Sequence, residues 1–284
     1  MIDVSGLRFR YPDSDADVVR GIDFSVSRGE IFGFLGPSGA GKSTTQKVLI
    51  KILSGYGGSI KVEGNELSGL DSRYFEKIGV AFEFPNLFSK FTALENLNFF
   101  SSLYSAKCTD PQKLLEMLGL EKDGGTFVSA YSKGMKMRLN FLRAIMHNPE
   151  ILFLDEPTSG LDPANARKMK DVIKMKKDEG KTIFLTTHDM HTAEELCDRV
   201  AFIVDGSISL IDSPRNLKIK KGKKALRIEY VEDNILKSDS FSLENINENK
   251  RFQDILKTGT VETIHTMEST LEDIFIETTG RRLL

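Results

Sequence analysis

A glycine-rich segment at residues 36–44 has the residue types and spacing for phosphate chemistry in this 284-residue chain. It reads Gly-Pro-Ser-Gly-Ala-Gly-Lys-Ser-Thr, a pattern in which backbone N–H groups and the start of a helix surround phosphate oxygens. Lys42 can reach the β- and γ-phosphates of a nucleotide, and the Ser43 hydroxyl can ligate Mg²⁺. The expected nucleotide-binding residues are therefore Gly36, Pro37, Ser38, Gly39, Ala40, Gly41, Lys42, Ser43 and Thr44.

The sequence on either side of this segment has the elements that phosphate binding needs. Residues 30–35 form a short apolar run typical of a buried strand, and residues 44–53 have helical spacing. A strand, a glycine-rich turn and a helix thus follow one another in the required order. This order argues against the alternative of a chance match to the pattern.

A second group of candidate residues ends another apolar run. Residues 151–154 are Ile-Leu-Phe-Leu, typical of a buried parallel strand, and Asp155 and Glu156 follow directly. We expect Asp155 to hold Mg²⁺ beside Ser43, and Glu156 to polarise a water molecule in line with the γ-phosphate as the general base. The alternative is an ordinary pair of surface acids at a strand end, and the upstream phosphate loop counts against it.

The order of predicted elements indicates how these groups are positioned. Residues 2–31 are β-rich, further strands are expected at 57–64, 78–84 and 182–187, and a charged amphipathic helix at 164–179. Strands alternating with helices indicate an α/β sheet with crossover connections. The mostly helical stretch within about 88–145, in which Pro111 opens a helix, is expected to be an insertion in that sheet.

The last part of the chain differs in composition from about Asn216 onward. We expect residues 218–284 to form a small α+β accessory domain, with a strand at 225–231 and a short helix at 269–280. The basic run at 218–224 is expected to be a solvated linker.

Composition limits the possible partners and compartments. Lys and Arg number 39 against 41 Asp and Glu, so the net charge of −2 gives no electrostatic argument for a nucleic-acid partner. The chain has two cysteines, Cys108 and Cys197, which lie far apart in sequence and argue against a disulfide framework or a zinc site. We expect no signal peptide and no membrane span, because no apolar run approaches about 20 residues. A membrane function would therefore require a span from another chain.

Taken together, several segments resemble the ATP-binding cassette (ABC) ATPases over about residues 1–215. The matching residues are the loop at 36–44, residues 131–135 followed by Arg138, Asp155 and Glu156 after their strand, residues 159–162, and His188. The resemblance implies an α/β fold, a P-loop NTPase cassette with an N-terminal antiparallel β subdomain, an inserted helical subdomain (about 88–145) and a small C-terminal α+β appendage. It places the ATPase domain at 1–217 and implies ATP and Mg²⁺ as cofactors.

The resemblance also implies contacts between two subunits. Residues 131–135, Tyr-Ser-Lys-Gly-Met, stand where the family usually has Leu-Ser-Gly-Gly-Gln, so Ser132, Lys133, Gly134 and Met135 are expected to contact the γ-phosphate held by another subunit. Lys133 and Met135 depart from the usual residues. The alternative is a plain helix cap. Residues 159–162 resemble the D-loop, with Asp162 at its end. The expected ATPase dimer is either a homodimer or a heterodimer.

The resemblance also implies functional roles for three further residues. His188 is expected to contact the γ-phosphate and orient Glu156, as a catalytic residue together with Lys42 and Glu156; the alternative is a structural histidine. Tyr11 is expected to stack on adenine, with Phe9 as a competitor. Glu83 replaces the usual Gln and is placed in the metal shell with Ser43 and Asp155; the alternative is that it is displaced toward solvent.

The remaining expectations concern partners. Five aromatic residues suit either a docking surface for a transmembrane permease or the core of the helical insertion: Phe84, Phe88, Phe91, Phe99 and Phe100. The C-terminal segment 269–281 resembles the multidrug and antibiotic exporter group of ABC ATPases. The first hypothesis is therefore the ATPase subunit of an exporter, peripheral on the cytoplasmic side of the cell membrane. The alternatives are a soluble ABC-type ATPase switch acting on ribosomes or DNA, and a non-enzymatic binding module.

Overall fold

The computed structural model describes residues 1–221, 224–267 and 269–281. The described chain forms two compact units, Met1–Ser213 and Pro214–Arg281. Within these ranges no helix has both the length and the apolar character to cross a membrane.

The first unit contains two sheets. Its strands are β1 (Ile2–Phe9), β2 (Val19–Val26), β3 (Ile31–Leu35), β4 (Gly57–Val62), β5 (Asn65–Glu66), β6 (Ile78–Ala81), β7 (Ile151–Asp155), β8 (Thr182–Thr187), β9 (Arg199–Val204) and β10 (Ser207–Asp212). Its helices are α1 (Lys42–Leu49), α2 (Arg73–Lys77), α3 (Ala93–Ser101), α4 (Pro111–Met117), α5 (Lys133–Ile145), α6 (Pro163–Asp178) and α7 (Met190–Leu196).

The larger sheet has six strands in the order β10-β9-β3-β8-β7-β6. Strands β9, β3, β8, β7 and β6 run parallel, and β10 pairs antiparallel with β9. All residues of β3, β7 and β8 are buried, as expected for strands that are covered on both faces. This arrangement brings the carboxyl ends of β3, β7 and β8 to one edge of the sheet.

The smaller sheet is antiparallel, with the order β2-β1-β4-β5. Buried and exposed residues alternate along β1 and β2, so one face of this sheet enters the core. Phe24 from β2 contacts Phe32, Phe34 and Phe184 of the larger sheet at ring distances of 5.5–6.0 Å. The two sheets therefore share one hydrophobic core, and the expected antiparallel β subdomain is confirmed.

Three helices, α3 to α5, lie between β6 and β7 and form the expected helical insertion. Thr92 and Glu95 make a reciprocal capping box at the start of α3. Asp110 caps α4, with Pro111 in the first turn as predicted. The helix expected over 44–53 instead spans Lys42–Leu49, because Lys51 adopts φ 60° and turns the chain away.

The second unit is a small α+β structure. It contains α8 (Pro214–Lys221), β11 (Ala225–Glu232), β12 (Ile235–Ser242), α9 (Lys250–Thr258), β13 (Thr260–Met267) and α10 (Leu271–Thr279). The antiparallel sheet has the order β12-β11-β13. Its core consists of Ile228, Tyr230, Phe241 and Ile255.

The expectation of a linker over residues 218–224 is wrong for 218–221, which belong to α8. The helix forms because Pro214 and Leu217 bury an apolar side, while the lysines that follow occupy its last turn. Lys221 Nζ also donates a hydrogen bond to Thr278 Oγ1 of α10 at 2.8 Å. Residues 222 and 223 of the basic run lie outside the described residues.

Candidate active site

The glycine-rich loop connects β3 to α1 and lies close against β9. A Cβ atom at Gly36 would be 2.1 Å from the carbonyl oxygen of Ile203, so this approach admits only glycine. Gly41, directly before α1, adopts φ 104°. The loop is therefore shaped by backbone packing, with the N-terminus of α1 at its end.

Lys42 is held inside this loop. Its side chain is buried, and Nζ donates to the carbonyl oxygens of Gly36 at 2.6 Å and Pro37 at 2.9 Å. Burial lowers the pKa of Lys42, while the carboxylates of Glu156, Asp155 and Glu83 act in the opposite direction. The ammonium group is thus surrounded by three acids that favour its charged form.

Asp155 at the end of β7 lies beside Ser43. The Ser43 hydroxyl donates to Asp155 Oδ1 at 3.5 Å, and the Thr186 hydroxyl of β8 donates to the same oxygen. Glu83 lines the same cavity. No group of three or more His, Cys, Asp or Glu side chains suited to a metal occurs in the described ranges. The oxygen ligands present fit Mg²⁺, which usually binds one or two carboxylates together with substrate phosphates.

Glu156 follows Asp155 with φ 48°, in the left-handed region that few non-glycine residues adopt. Its Oε2 accepts a hydrogen bond from Thr187 Oγ1 at 2.9 Å. Its Oε1 accepts from the backbone N–H of His188 at 2.9 Å and from His188 Nδ1 at 2.6 Å. Because a carboxylate can only accept, Nδ1 of His188 carries the proton and Nε2 remains available to a ligand.

These segments meet around one cavity of about 320 Å³. Its lining residues are Val18, Pro37, Ser38, Gly39, Gly41, Lys42, Ser43, Thr44, Glu83, Asp155, Glu156 and His188. Residues as far apart in sequence as Val18 and His188 are thus brought together. Glu83 faces this cavity, which disfavours the alternative that it is displaced into solvent.

Tyr11 lies next to the loop rather than in the cavity lining. Its hydroxyl is 3.2 Å from Thr44 Oγ1, and its ring packs edge-on against Phe9 at 5.1 Å. Phe9 itself is buried in the core. Of the two aromatic residues, Tyr11 is therefore the one available for stacking on a base.

Residues 132–135 lie at the start of α5, away from this cavity. Ser132 Oγ accepts a hydrogen bond from the backbone N–H of Met135 at 3.2 Å and so caps the helix. The Lys133 side chain passes over Gly160, where a Cβ atom would lie 3.0 Å from its Cδ and Cε. Asp162 caps α6 through Ala164 and Asn165. The predicted signature and D-loop are therefore adjacent to each other on the surface.

Four of the five aromatic residues expected at either a docking surface or the core of the insertion form a partly exposed cluster: Phe88, Phe91, Phe99 and Phe100. Phe88 contacts Phe91, Phe99 and Phe100 at ring distances of 5.0–5.8 Å, while Phe84 is 73% exposed. Phe88 and Phe99 keep 45% and 40% of their surface exposed. The cluster therefore packs against itself without becoming a buried core, which favours a surface for a partner.

Sequence reasoning missed Gln46, Thr186 and Thr187. They are buried around the two carboxylates, and both threonines donate to them. A Thr-Thr-His sequence at the end of a strand was the available signal. Its meaning depends on β7 and β8 being neighbours, which the sequence alone did not establish.

Comparison with known proteins agrees with this geometry. Residues 19–159 match the family model described as ABC transporter, and residues 224–268 match the fluoroquinolone efflux ABC transporter C-terminal domain. The chain is 53% identical over 284 residues to the fluoroquinolones export ATP-binding protein of Mycobacterium tuberculosis, covering 100% of this chain and 94% of that protein. It is 35% identical over 209 residues to the linearmycin resistance ATP-binding protein of Bacillus subtilis, covering 72% and 67% of the two chains. A solved structure of an ATP binding subunit of an ABC transporter has a TM-score of 0.70 at 27% identity, covering 78% of this chain and 93% of that one.

The chain therefore belongs to the ATP-binding proteins of ABC transporters. The predicted fold class and the ATPase activity are confirmed, and ATP is the nucleotide of this family. The alternative of a switch on ribosomes or DNA is not favoured, because the relatives are named for export and resistance.

Proposed function

We propose that this chain is the ATPase subunit of an exporter that acts peripherally on the cytoplasmic side of the cell membrane. The observation that carries the proposal is the cavity in which Lys42, Asp155, Glu156 and His188 converge. The proposed cargo is of the fluoroquinolone class, because a relative named for export of these drugs is 53% identical along the whole chain. The second unit supports this class through its own family match.

In the proposed reaction, the loop at 36–44 holds the phosphates of ATP through its N–H groups. Lys42 neutralises charge on the β- and γ-phosphates. Glu156 accepts a proton from the attacking water, and the hydrogen bonds from His188 fix the direction of its carboxylate. When bound, Mg²⁺ would be held by Ser43, Asp155 and Glu83 and would neutralise phosphate charge.

The proposed active form is a dimer, either of two copies or of this chain with a related one. Ser132 caps the start of α5, and Lys133, Gly134 and Met135 form its first turn, which is an arrangement suited to a phosphate held by the other subunit. Asp162 of the D-loop lies beside them. Hydrolysis would remove the γ-phosphate contacts and allow the dimer to open.

A transmembrane permease is the other proposed partner. The aromatic cluster around Phe88 supports this, because exposed aromatic groups of this kind mark interaction surfaces. Asn96 fixes the segment that carries Phe88 by accepting from its N–H at 2.8 Å and donating to its carbonyl oxygen at 3.0 Å. The surface is therefore held in place before any partner binds.

The experiment that tests the site is light scattering of purified Glu156→Gln with ATP and Mg²⁺. We expect dimers that persist, whereas wild type returns to monomers as ATP is consumed. Lys42→Ala, which removes the phosphate contact, should stay monomeric. A Glu156→Gln protein that hydrolyses ATP at the wild-type rate would refute the general-base assignment.

The cargo is tested separately in cells. Co-expression of this chain with its permease should lower the accumulation of a fluorescent fluoroquinolone, and Glu156→Gln should abolish that effect. Equal accumulation with wild type and Glu156→Gln would reject export of this drug class.

A further inference from the structure

Two adjacent threonines at the end of β8 lie beside two adjacent carboxylates, Asp155 at the end of β7 and Glu156 directly after it. The strands are parallel neighbours, and Asp155 is the register partner of Thr186. Successive side chains of a strand point to opposite faces, so consecutive residues on β8 can reach different groups. Thr186 and Thr187 are both completely buried. Each hydroxyl therefore donates its single proton to another group of the protein and not to solvent.

The direction of the Thr187 proton is fixed by a second hydrogen bond. Thr187 Oγ1 accepts from the backbone N–H of Asp189 at 3.0 Å and donates to Glu156 Oε2 at 2.9 Å. His188 holds the other carboxylate oxygen. Both oxygens of Glu156 are thus held from the end of β8, so the plane of the carboxylate is defined before substrate enters.

Thr186 holds the other carboxylate in a similar way. Its hydroxyl donates to Asp155 Oδ1, and Gln46 Oε1 lies 3.4 Å from the same hydroxyl. Gln46 is buried, and its Nε2 lacks a hydrogen-bond partner within the described ranges. Thr186 has one hydroxyl proton and gives it to Asp155, so we place the Gln46 amide with Nε2, which has nearly the same shape as Oε1, facing the Thr186 hydroxyl. Gln46 then donates to Thr186, and Thr186 donates to Asp155.

We propose that Thr186 and Thr187 are positioning residues, one for each carboxylate. Thr187 sets the direction of the base Glu156, and Thr186, supported by Gln46, sets the direction of the metal-binding Asp155. The inference rests on the roles proposed above for these two carboxylates. It predicts that the two threonines affect different steps, although they are neighbours in one strand.

The test compares Thr→Val, which keeps the shape and removes the hydroxyl, with Thr→Ser, which keeps the hydroxyl. In Thr187→Val we expect kcat to fall about tenfold or more, as for loss of a hydrogen bond to a charged group, with unchanged KM for ATP. In Thr186→Val we expect Mn²⁺ affinity of the ADP complex, measured by electron paramagnetic resonance, to fall about 10- to 100-fold. ADP affinity in EDTA should not change. The matching Ser variants should recover most of each loss.

Two outcomes would overturn the inference. One is wild-type kcat in Thr187→Val together with wild-type Mn²⁺ affinity in Thr186→Val. The other is that each Val variant loses both properties in proportion to a lowered melting temperature, which indicates a structural role only. If Thr186→Val does not fold, Gln46→Met tests the hydrogen bonds from Gln46 through Thr186 to Asp155; if Thr187→Val does not fold, Thr187→Ala tests the hydrogen bond to Glu156, with the same expected fall in kcat and with wild-type kcat counting against the inference. Gln46→Met should weaken Mn²⁺ affinity while leaving ADP affinity in EDTA unchanged, and wild-type Mn²⁺ affinity would again count against the inference.

Parallel variants separate this inference from the proposed function. Glu156→Gln should abolish hydrolysis, and Asp155→Asn should lower Mn²⁺ affinity. If these two variants behave like wild type, the proposed roles of the carboxylates fail. If they lose function and the Val variants do not, only the positioning roles of Thr186 and Thr187 fail.

Discussion

Gly79 lies where β6 packs closely against α5, and the effect of adding one methyl group there on the free energy of unfolding can be worked out from the structure. A Cβ atom at this position would lie 2.0 Å from the carbonyl oxygen of Ala144, where real Cβ contacts essentially never fall below 3.0 Å. It would also lie 2.8 Å from Pro149 Cγ and 2.9 Å from Leu152 Cδ2. In Gly79→Ala the backbone of β6 or α5 must therefore move by about 1 Å, since packing at this contact leaves no free volume.

We expect Gly79→Ala to lower the free energy of unfolding by about 3 kcal/mol, the upper end of overpacking costs, because the clash is with backbone. For a unit of this size the melting temperature should fall by about 6–12 °C. The measurement is thermal unfolding followed by circular dichroism. ATP hydrolysis should also fall, because α5 carries Asn140, whose side chain donates to Phe82 O at 2.8 Å beside Glu83.

Gly69→Ala is the matched control. Gly69 is exposed, has no atom within 4 Å of a built Cβ and does not adopt positive φ. Its substitution should leave the melting temperature unchanged or raise it slightly, since alanine reduces the entropy of the unfolded chain. Equal stability of Gly79→Ala and Gly69→Ala would refute the packing argument.

Three other perturbations test separate features. Asn96→Leu should lower the free energy of unfolding by at least about 2 kcal/mol, because it leaves the N–H and C=O of Phe88 unpaired; an unchanged denaturant midpoint would contradict this. The pKa of Glu195 is lowered to about 2, mainly by the hydrogen bond from Lys170 and then by that from Lys174. The Glu195 carboxylate therefore stabilises the fold fully above its ordinary pKa of about 4.3, and this stabilisation is lost as the pH falls toward 2. A titration followed by nuclear magnetic resonance should give Glu195 a midpoint near pH 2, and Lys170→Met should raise that midpoint. A midpoint near the ordinary value for glutamate in both wild type and Lys170→Met would exclude the ion pair between Lys170 and Glu195. Tyr11→Ala should weaken ATP binding by about 1–3 kcal/mol and Tyr11→Phe should not; equal losses would point instead to the hydroxyl contact with the loop.

The elements nearest the chemistry were predictable from the sequence. The glycine-rich loop and the apolar runs before it and before Asp155 predict β3, α1 and β7, because a short apolar run bounded by turn or polar residues is typical of a strand buried on both faces. The strand at 182–187 was predicted with the bounds that β8 has in the structure. The local sequence was sufficient for these strands because all residues of each strand are buried, so the apolar pattern is continuous.

Other elements depend on contacts that the sequence does not display. Strand β12 (Ile235–Ser242) lies at the edge of its sheet, so its polar alternation resembles a loop. Strands β9 and β10 were not predicted, although an apolar run followed by Asp205-Gly206 is a hairpin signal. The roles of Thr186 and Thr187 required the pairing of β7 with β8, which arises from the order of strands in the sheet.

The position of β3 in the six-stranded sheet has a consequence for local unfolding. β3 is hydrogen-bonded to β8 on one side and β9 on the other, whereas β6 and β10 are the edges. Partial opening of a protein costs least where few neighbours are lost, so the edges should exchange their amide hydrogens first and β3 among the last. The loop at 36–44 therefore extends from a slowly exchanging strand. We therefore expect the edge strands to open and reclose locally while the phosphate-binding backbone keeps its conformation.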